Sequence, residues 1–324
     1  MRAVVVNSGQ IQIDERPRPS PSQGEVLVRV RAAGLNRADL LQRSGLYPPP
    51  PGIAPDIPGL EFSGVVEELG QGVEDPAIGT SVMGIVAGGA QAEFVVVHAT
   101  HCAAIPSGLD VVTAGGIPEA FFTAHDAMRT QALLVPGERV LVHAAGSGVG
   151  TAVIQIAVAL GCPVTGTART ESKLERARAL GLQHGVVATD GIEMQAFADL
   201  ITSGGAPDVV IDLVGGAYVT ADVIAAAPLG RIVVVGTLAG GSAKIPLLAM
   251  MGKRLRMLGT MLRTRSIEEK ASVTSRFMNE VGPFLTDRSI SPAIENVFDF
   301  QDAAAGYDLL ASNTTFGKLI LSVS

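Results

Sequence analysis

Residues 144–151 read Ala144-Ala145-Gly146-Ser147-Gly148-Val149-Gly150-Thr151, between an apolar run, Val140 to Ala144, and helical text from Val153 to Leu160. A strand, a glycine turn and a helix N-terminus in this order bring backbone N–H groups and the positive helix end to one point, which suits a pyrophosphate. The strict G-x-G-x-x-G pattern is not met, because the earlier glycine positions counted back from Gly150 hold Ala145 and Ser147. Gly146-x-Gly148-x-Gly150 also fits the nucleotide loops of methyltransferases that use S-adenosylmethionine, and the next strand end separates the two readings. There an acidic residue would hold ribose hydroxyls, whereas this chain has Thr167-Ala168-Arg169-Thr170-Glu171-Ser172-Lys173. Arg169, Thr170 and Lys173 offer two cations and a hydroxyl to a 2′-phosphate, so NADP is favoured over NAD. Glu171 is the counterweight, since a slightly different turn aims it at ribose.

Other reactive side chains are sparse. His98-Ala99-Thr100-His101-Cys102 follows a strand, Ala92 to Val97, along which neighbouring side chains alternate between faces and do not converge as zinc requires. His143 closes a buried strand and reads as a satisfied core or loop residue. HExxH, GxSxG and GxxxxGK[ST] are absent, which excludes the common zinc protease, serine hydrolase and P-loop readings. Polar residues on loops remain: Asn36 and Asp39 in Gly34-Leu35-Asn36-Arg37-Ala38-Asp39-Leu40, then Tyr47 ahead of Pro48 to Pro51. Asn36 also fits a helix N-cap. Tyr47 stands on a proline-stiffened loop, where a phenol can face a cleft.

The elements that must position these groups follow from composition and pattern. The 324 residues are 47% hydrophobic with a formal charge of −7, 38 Gly, 19 Pro, no Trp and 4% aromatics. The mean hydropathy is +0.37. Such a length predicts two domains at roughly 100–200 residues each, and aliphatic bulk without aromatics suits a parallel sheet covered by helices. Two cysteines, Cys102 and Cys162, build neither a disulfide framework nor a four-thiolate zinc lobe, and fit a reducing cytoplasm. Met1 to Asn7 reads as a first strand and not a signal peptide, and no window reaches the ~18 apolar residues of a membrane span. The acidic balance gives no footprint for nucleic acid.

From Met1 to about Leu109 short alternating runs such as Glu25 to Arg31, Phe62 to Leu69 and Ala92 to Val97 predict an antiparallel, barrel-like β domain. Beyond Asp110 strand and helix alternate. Val140 to Ala144, Val164 to Ala168, Gly185 to Ala188, Val209 to Leu213, Ile232 to Gly236 and Leu255 to Met261 predict six parallel strands, doubly wound. Helices are expected at Ser172 to Leu180, Glu193 to Thr202 and Ser266 to Leu285, and Gly317 to Val323 is a strand that can return to the first domain.

The blocks Leu35 to Arg43, Tyr47 to Gly52, Gly59-Leu60-Glu61-Phe62-Ser63-Gly64, Ile117-Pro118-Glu119-Ala120, Ser147 to Gly150, Leu262-Arg263-Thr264-Arg265 and Gly317-Lys318 span nearly the whole chain. Together they resemble the zinc-free quinone oxidoreductases of the medium-chain dehydrogenase/reductase superfamily, most of all the p53-inducible quinone oxidoreductase type. The resemblance implies an α/β fold, a six-stranded Rossmann sheet (118–289) inserted in a GroES-like β-barrel domain (1–117 and 290–324). It implies hydride transfer from NADPH to a quinone or similar conjugated carbonyl, with reduction of the C=C bond of enals or enones as a sibling activity and a non-catalytic NADPH-binding protein as a different class. It places NADPH in an interdomain cleft. The pyrophosphate would lie on Ser147, Gly148, Val149 and Gly150, and the 2′-phosphate on Arg169, Thr170 and Lys173. Nicotinamide would lie against Thr123 and Gly236-Thr237-Leu238, with Leu262 and Asn313 nearby. Tyr47 or Asn36 would donate a hydrogen bond to the acceptor oxygen. No metal is expected: Asn36 stands where zinc-dependent relatives carry a Cys, and Leu60 where they carry a His. Ala188 departs from the pattern, replacing a tyrosine beside the adenosine. A homodimer is also implied, through the edge near Ile232 to Gly236 or Leu255 to Met261.

Overall fold

A computed structural model describes residues 1–323 and divides the chain into two compact units, Met1–Phe122 with Leu262–Ser324, and Thr123–Met261. The fold is α/β, as expected. In the second unit six short strands form one parallel sheet: β1 (Val140–Val142), β2 (Val164–Ala168), β3 (His184–Val187), β4 (Val209–Asp212), β5 (Arg231–Val234) and β6 (Arg256–Gly259). Their order is β3-β2-β1-β4-β5-β6, so the connection that reverses direction lies between β1 and β4, where open α/β sheets hold their ligands. The central strands are apolar because helices cover both faces. These helices are α1 (Gly148–Ala159), α2 (Glu171–Arg178), α3 (Met194–Thr202), α4 (Tyr218–Ala225) and α5 (Leu247–Lys253).

The first unit is built on the long strand Glu25–Leu35, which pairs antiparallel with Glu61–Leu69, Phe94–His98 and the C-terminal strand Lys318–Ser322. The tail therefore returns to the first unit, with Leu319 opposite Leu35 and Leu321 opposite Ala33. Alternation along Glu25–Leu35 sends Val26, Val28 and Val30 into a core shared with Phe62, Leu321 and the fully buried Tyr307, whose hydroxyl donates to Gln91 Oε1 at 2.8 Å.

The helix Ile267–Thr286, opened by a Ser266/Glu269 capping box, packs within this first unit and not with the parallel sheet. Phe277 meets Phe122 at 4.6 Å between ring centroids, and the carbonyl of Ile267 lies 3.1 Å from His101 Nε2. The second unit is accordingly shorter than the 118–289 expected. An amphipathic pattern shows that a helix buries one face; it does not show against which domain. Among the described residues no helix is long and apolar enough to cross a membrane.

Candidate functional site

The glycine loop forms at the end of β1. Ala144 takes a left-handed φ of 52°, which ends the strand at Val142 and turns the chain into α1. Ser147 caps that helix in extended geometry, its Oγ accepting from the Gly150 N–H at 3.0 Å. A Cβ on Gly150 would stand 2.4 Å from the carbonyl oxygen of Ala144, so only glycine allows the helix to start this close to the strand. The first-turn N–H groups of α1 have no intrahelical acceptor and share the positive end of a twelve-residue helix. This cradle fits a pyrophosphate.

The next loop adds charge of the required sign. Arg169 and Thr170 are exposed at the end of β2 and Lys173 is half-buried one turn into α2. Thr170 Oγ1 lies 3.2 Å from Ser172 Oγ and is not used as a side-chain cap. Glu171 points its carboxylate along the helix, where Oε1 accepts from Arg178 Nη1 at 2.7 Å. At the end of β5 the chain turns through Gly236, whose N–H donates to the Asp212 carbonyl at 3.2 Å, and Thr237 and Leu238 follow, with Leu238 exposed. Ser147–Gly150, Arg169, Thr170, Lys173 and Gly236–Leu238 therefore stand at the same, C-terminal end of one parallel sheet. Ala188, just past β3, is buried and donates its N–H to the Ala168 carbonyl at 2.8 Å. Thr123 is buried in the helix Pro118–His125. Leu262 and Asn313 belong to the first unit, Leu262 buried and Asn313 accepting from Arg37 through its side-chain oxygen.

In the first unit the two residues singled out for acceptor chemistry have different surroundings. Asn36 precedes the helix Arg37–Arg43, and its backbone N–H donates to Asp39 Oδ2 at 2.8 Å. Its side-chain amide donates to Glu61 Oε1 at 2.8 Å and accepts from Lys318 Nζ at 2.6 Å. Lys318 Nζ also lies 2.5 Å from Glu61 Oε1 and 3.2 Å from the Leu35 carbonyl, and Glu61 Oε2 accepts the Glu119 N–H at 2.8 Å. Asn36 thus joins a buried ion pair, with both the oxygen and the nitrogen of its amide in use. Burial holds the Glu119 carboxyl up at about 8, and the neighbouring Glu61 charge adds to the effect. Asp39 is likewise raised to about 6, mainly by burial.

Tyr47 is half-buried with the Arg263 guanidinium 4.5 Å from its ring centroid. Arg263, which lies in the Leu262-Arg263-Thr264-Arg265 block but to which the sequence assigned no role, is a hub: Nη1 donates to the Tyr47 carbonyl at 3.0 Å, Nε to the Ala87 carbonyl at 2.7 Å and Nη2 to Gln42 Oε1 at 2.7 Å. Planar five-donor geometry lets one side chain tie three segments together. Burial raises the Tyr47 phenol above its ordinary value, and the Arg263 charge works in the other direction. The phenol is therefore protonated near neutrality and able to donate.

Residues 148–278 match the zinc-binding dehydrogenase family and residues 22–107 the alcohol dehydrogenase GroES-like domain. Quinone oxidoreductase-like protein 2 of Bos taurus is 32% identical over 311 residues, covering 95% of this chain and 88% of that protein. The chain belongs to the medium-chain dehydrogenase/reductase superfamily. As such it is an oxidoreductase with a dinucleotide-binding Rossmann sheet and a GroES-like domain. The quinone oxidoreductase of Thermus thermophilus, solved alone and as a complex with NADPH, aligns over the whole of both chains at 32% identity with a TM-score of 0.81. Polyketide synthase GfsB of Streptomyces halstedii is 33% identical over 304 residues, and this chain spans only 5% of its length. Superfamily members are thus found both as chains of this size and as segments of much larger enzymes.

Proposed function

We propose that this medium-chain reductase transfers hydride from NADPH to a quinone or similar conjugated, electron-poor carbonyl without a metal, as a cytoplasmic enzyme of the p53-inducible quinone oxidoreductase type. The observation that carries the reading is the β2 end: Arg169, Thr170 and Lys173 beside a glycine cradle, with the acid among them, Glu171, engaged by Arg178. Ser147 to Gly150 hold the pyrophosphate, Arg169, Thr170 and Lys173 the 2′-phosphate, and Thr123, Gly236, Thr237 and Leu238 the nicotinamide end. Bound NADPH supplies the hydride. The chain's own contribution is orientation, exclusion of water and a hydrogen bond to the acceptor oxygen as charge develops on it. Tyr47, fixed by Arg263, is the donor, and Asn36 positions the Glu61–Lys318 pair. The metal-free reading rests on that pair as well, because the Lys318 ammonium bonds both Asn36 and Glu61 and Leu60 is buried apolar surface.

The deciding experiment follows NADPH oxidation with ortho- and para-quinones and with conjugated enals, NADH serving as the cofactor control. Turnover of quinones with NADPH well above NADH supports the proposal; turnover of enals alone moves the chain to the C=C reductases. Binding without turnover of either acceptor leaves a non-catalytic NADPH-binding protein. A melting temperature raised by S-adenosylmethionine and not by NADPH points to a methyltransferase. Within the proposal, Tyr47→Phe should lower kcat about tenfold, the worth of one lost hydrogen bond to developing charge, and leave the NADPH Kd unchanged. Equal kcat for mutant and wild type across several quinones removes Tyr47 from the mechanism.

We also propose a homodimer. Strand β6 is an edge of its sheet, and α5 carries Leu248 and Met251 at 84% and 72% exposure, an apolar surface near an open sheet edge that a second copy would cover. Sedimentation of the purified protein as a monomer at micromolar concentration would refute it.

A further inference from the structure

The second unit holds a polar cluster that the hydride-transfer reading does not use. His143, directly after β1, lies with Nδ1 2.8 Å from Thr167 Oγ1 on β2 and Nε2 2.7 Å from Asp222 Oδ1 on α4. Asp212, the last residue of β4, accepts the Val214 and Gly215 N–H groups on Oδ1, each at 2.8 Å. All four side chains are buried. One ligand-type atom from each of His143, Asp212 and Asp222 falls within 4.8 Å of the others, and among the described residues Oδ2 of both aspartates has no hydrogen-bond donor. Two carboxylates this close in a dry interior repel one another when both are charged, and a proton held between them gives each free oxygen a partner. A metal fits less well. Two ligands of a tetrahedral zinc at ~2.0–2.1 Å would stand roughly 3.3 Å apart, whereas His143 Nε2 and Asp222 Oδ1 are at hydrogen-bond length.

The cluster's place in the fold gives it a task. His143 immediately precedes the glycine loop and sends its N–H to the Ile211 carbonyl on β4. Thr167 lies two residues before Arg169. Asp212 holds the loop after β4 by its side chain and, by its carbonyl, accepts from Val235 and Gly236. The His143 ring, the Asp212 carboxyl and the Asp212 carbonyl thus touch the roots of the loops after β1, β2, β4 and β5, and Asp222 holds the ring.

We propose that His143, Asp212 and Asp222 form a proton-holding clamp that sets these loops, and that dinucleotide affinity weakens as the clamp loses its protons. This rests on the reading that the sheet end binds NADPH. Protonation follows from the surroundings. Burial disfavours the imidazolium, but the Asp222 carboxylate outweighs it and holds His143 above its usual range, while burial lifts Asp222 to about 6. Tyr218 is another titratable side chain on the cluster, its ring edge-on to His143 at 4.9 Å, and it is raised by burial, then by Asp212, with Arg169 and Asp190 acting on it in opposite senses. Phe197 from α3 stacks on His143 at 5.9 Å and brings no charge. Both His143 and Asp222 are raised in the folded state. Their contribution is therefore complete at low pH and is lost as pH rises, through about 6 for Asp222 and then through the raised value of His143.

The test is a fluorescence titration of NADPH against the full chain, wild type, Asp222→Asn and Thr167→Val, from pH 6 to 9, with melting temperatures as the check on folding. The ratio of variant to wild-type Kd cancels ionisation of the ligand itself. For Asp222→Asn that ratio should be about tenfold at pH 6, the loss of one charge-assisted hydrogen bond, and shrink towards one at pH 9. Thr167→Val should show a two- to threefold rise, and it decides the matter if the aspartate variant does not fold. A role in folding alone lowers the melting temperature but leaves the ratio flat with pH, which overturns the clamp, as does a Thr167→Val Kd equal to that of the wild type. A stoichiometric divalent metal in the purified protein, found by elemental analysis, also overturns it. Wild-type protein that binds no NADPH refutes the underlying functional reading; wild-type binding with unchanged variants refutes the clamp alone.

Discussion

Lys318→Met should lower the thermal midpoint by about 10 °C. The Lys318 and Glu61 side chains are 3% and 0% exposed, and among the described residues the ammonium is the formal positive charge bonded to that carboxylate. Removing one partner of a buried pair leaves a charge that neither water nor protein compensates, at a cost of about 3–5 kcal/mol, and a body of this size loses roughly 2–4 °C per kcal/mol. Asn36 and the Glu119 N–H would still bond to Glu61, which keeps the loss nearer the lower figure. The double variant Lys318→Met with Glu61→Gln removes the stranded charge and should recover much of the drop. Unfolding followed by circular dichroism checks both. A shift under about 2 °C for the single variant, below the cost expected for a stranded charge, would mean that the pair is not coupled as its geometry implies. So would a double variant that loses the sum of two single losses. The result bears on function because the same pair holds Asn36 and, through the Glu119 N–H, the start of the helix that carries Thr123.

How far residues reveal such arrangements depends on sequence distance. The six parallel strands were legible because each is a run of aliphatic residues between helices, and all six lie within two residues of the expected positions. β1 ends at Val142 and not Ala144 because Ala144 adopts the left-handed conformation, which apolarity does not encode. The start of α1 at Gly148 was hidden for a related reason. Glycine is a poor helix former, so the helical text begins at Val153, yet the Ser147 cap and the close passage of Gly150 over Ala144 start the helix five residues earlier. In the candidate site, the glycine cradle and its cations were readable because they lie within one βαβ span. Arg263 was not, since its partners Tyr47, Gln42 and Ala87 are 176 to 221 residues away. The Asn36 amide, expected to face an acceptor, is bonded to Lys318, 282 residues on. His143 could be read only as a polar residue ending an apolar strand; its carboxylate partner is 79 residues later, on helix α4.

The cations that were readable carry the second large effect. Neutralising both in Arg169→Ala with Lys173→Ala should weaken NADPH binding about a hundredfold, taking each charge-assisted contact to a phosphate as roughly 1.5 kcal/mol, the low end for exposed groups. NADH, which lacks the 2′-phosphate, should bind both proteins alike. The contrast isolates recognition of that one group, because a damaged pyrophosphate cradle would weaken both ligands together. Titration calorimetry with the two dinucleotides measures it, and equal losses for NADPH and NADH, or a wild type that binds them equally, would end the argument from these side chains. Glu171→Gln separates the remaining possibility. If the carboxylate is occupied by Arg178, as its 2.7 Å bond indicates, this variant should bind both dinucleotides as the wild type does; if it reaches ribose instead, NADH binding should fall. A drop in NADH affinity alone would reverse the assignment, making Glu171 the selecting residue and the two cations part of a solvated helix face.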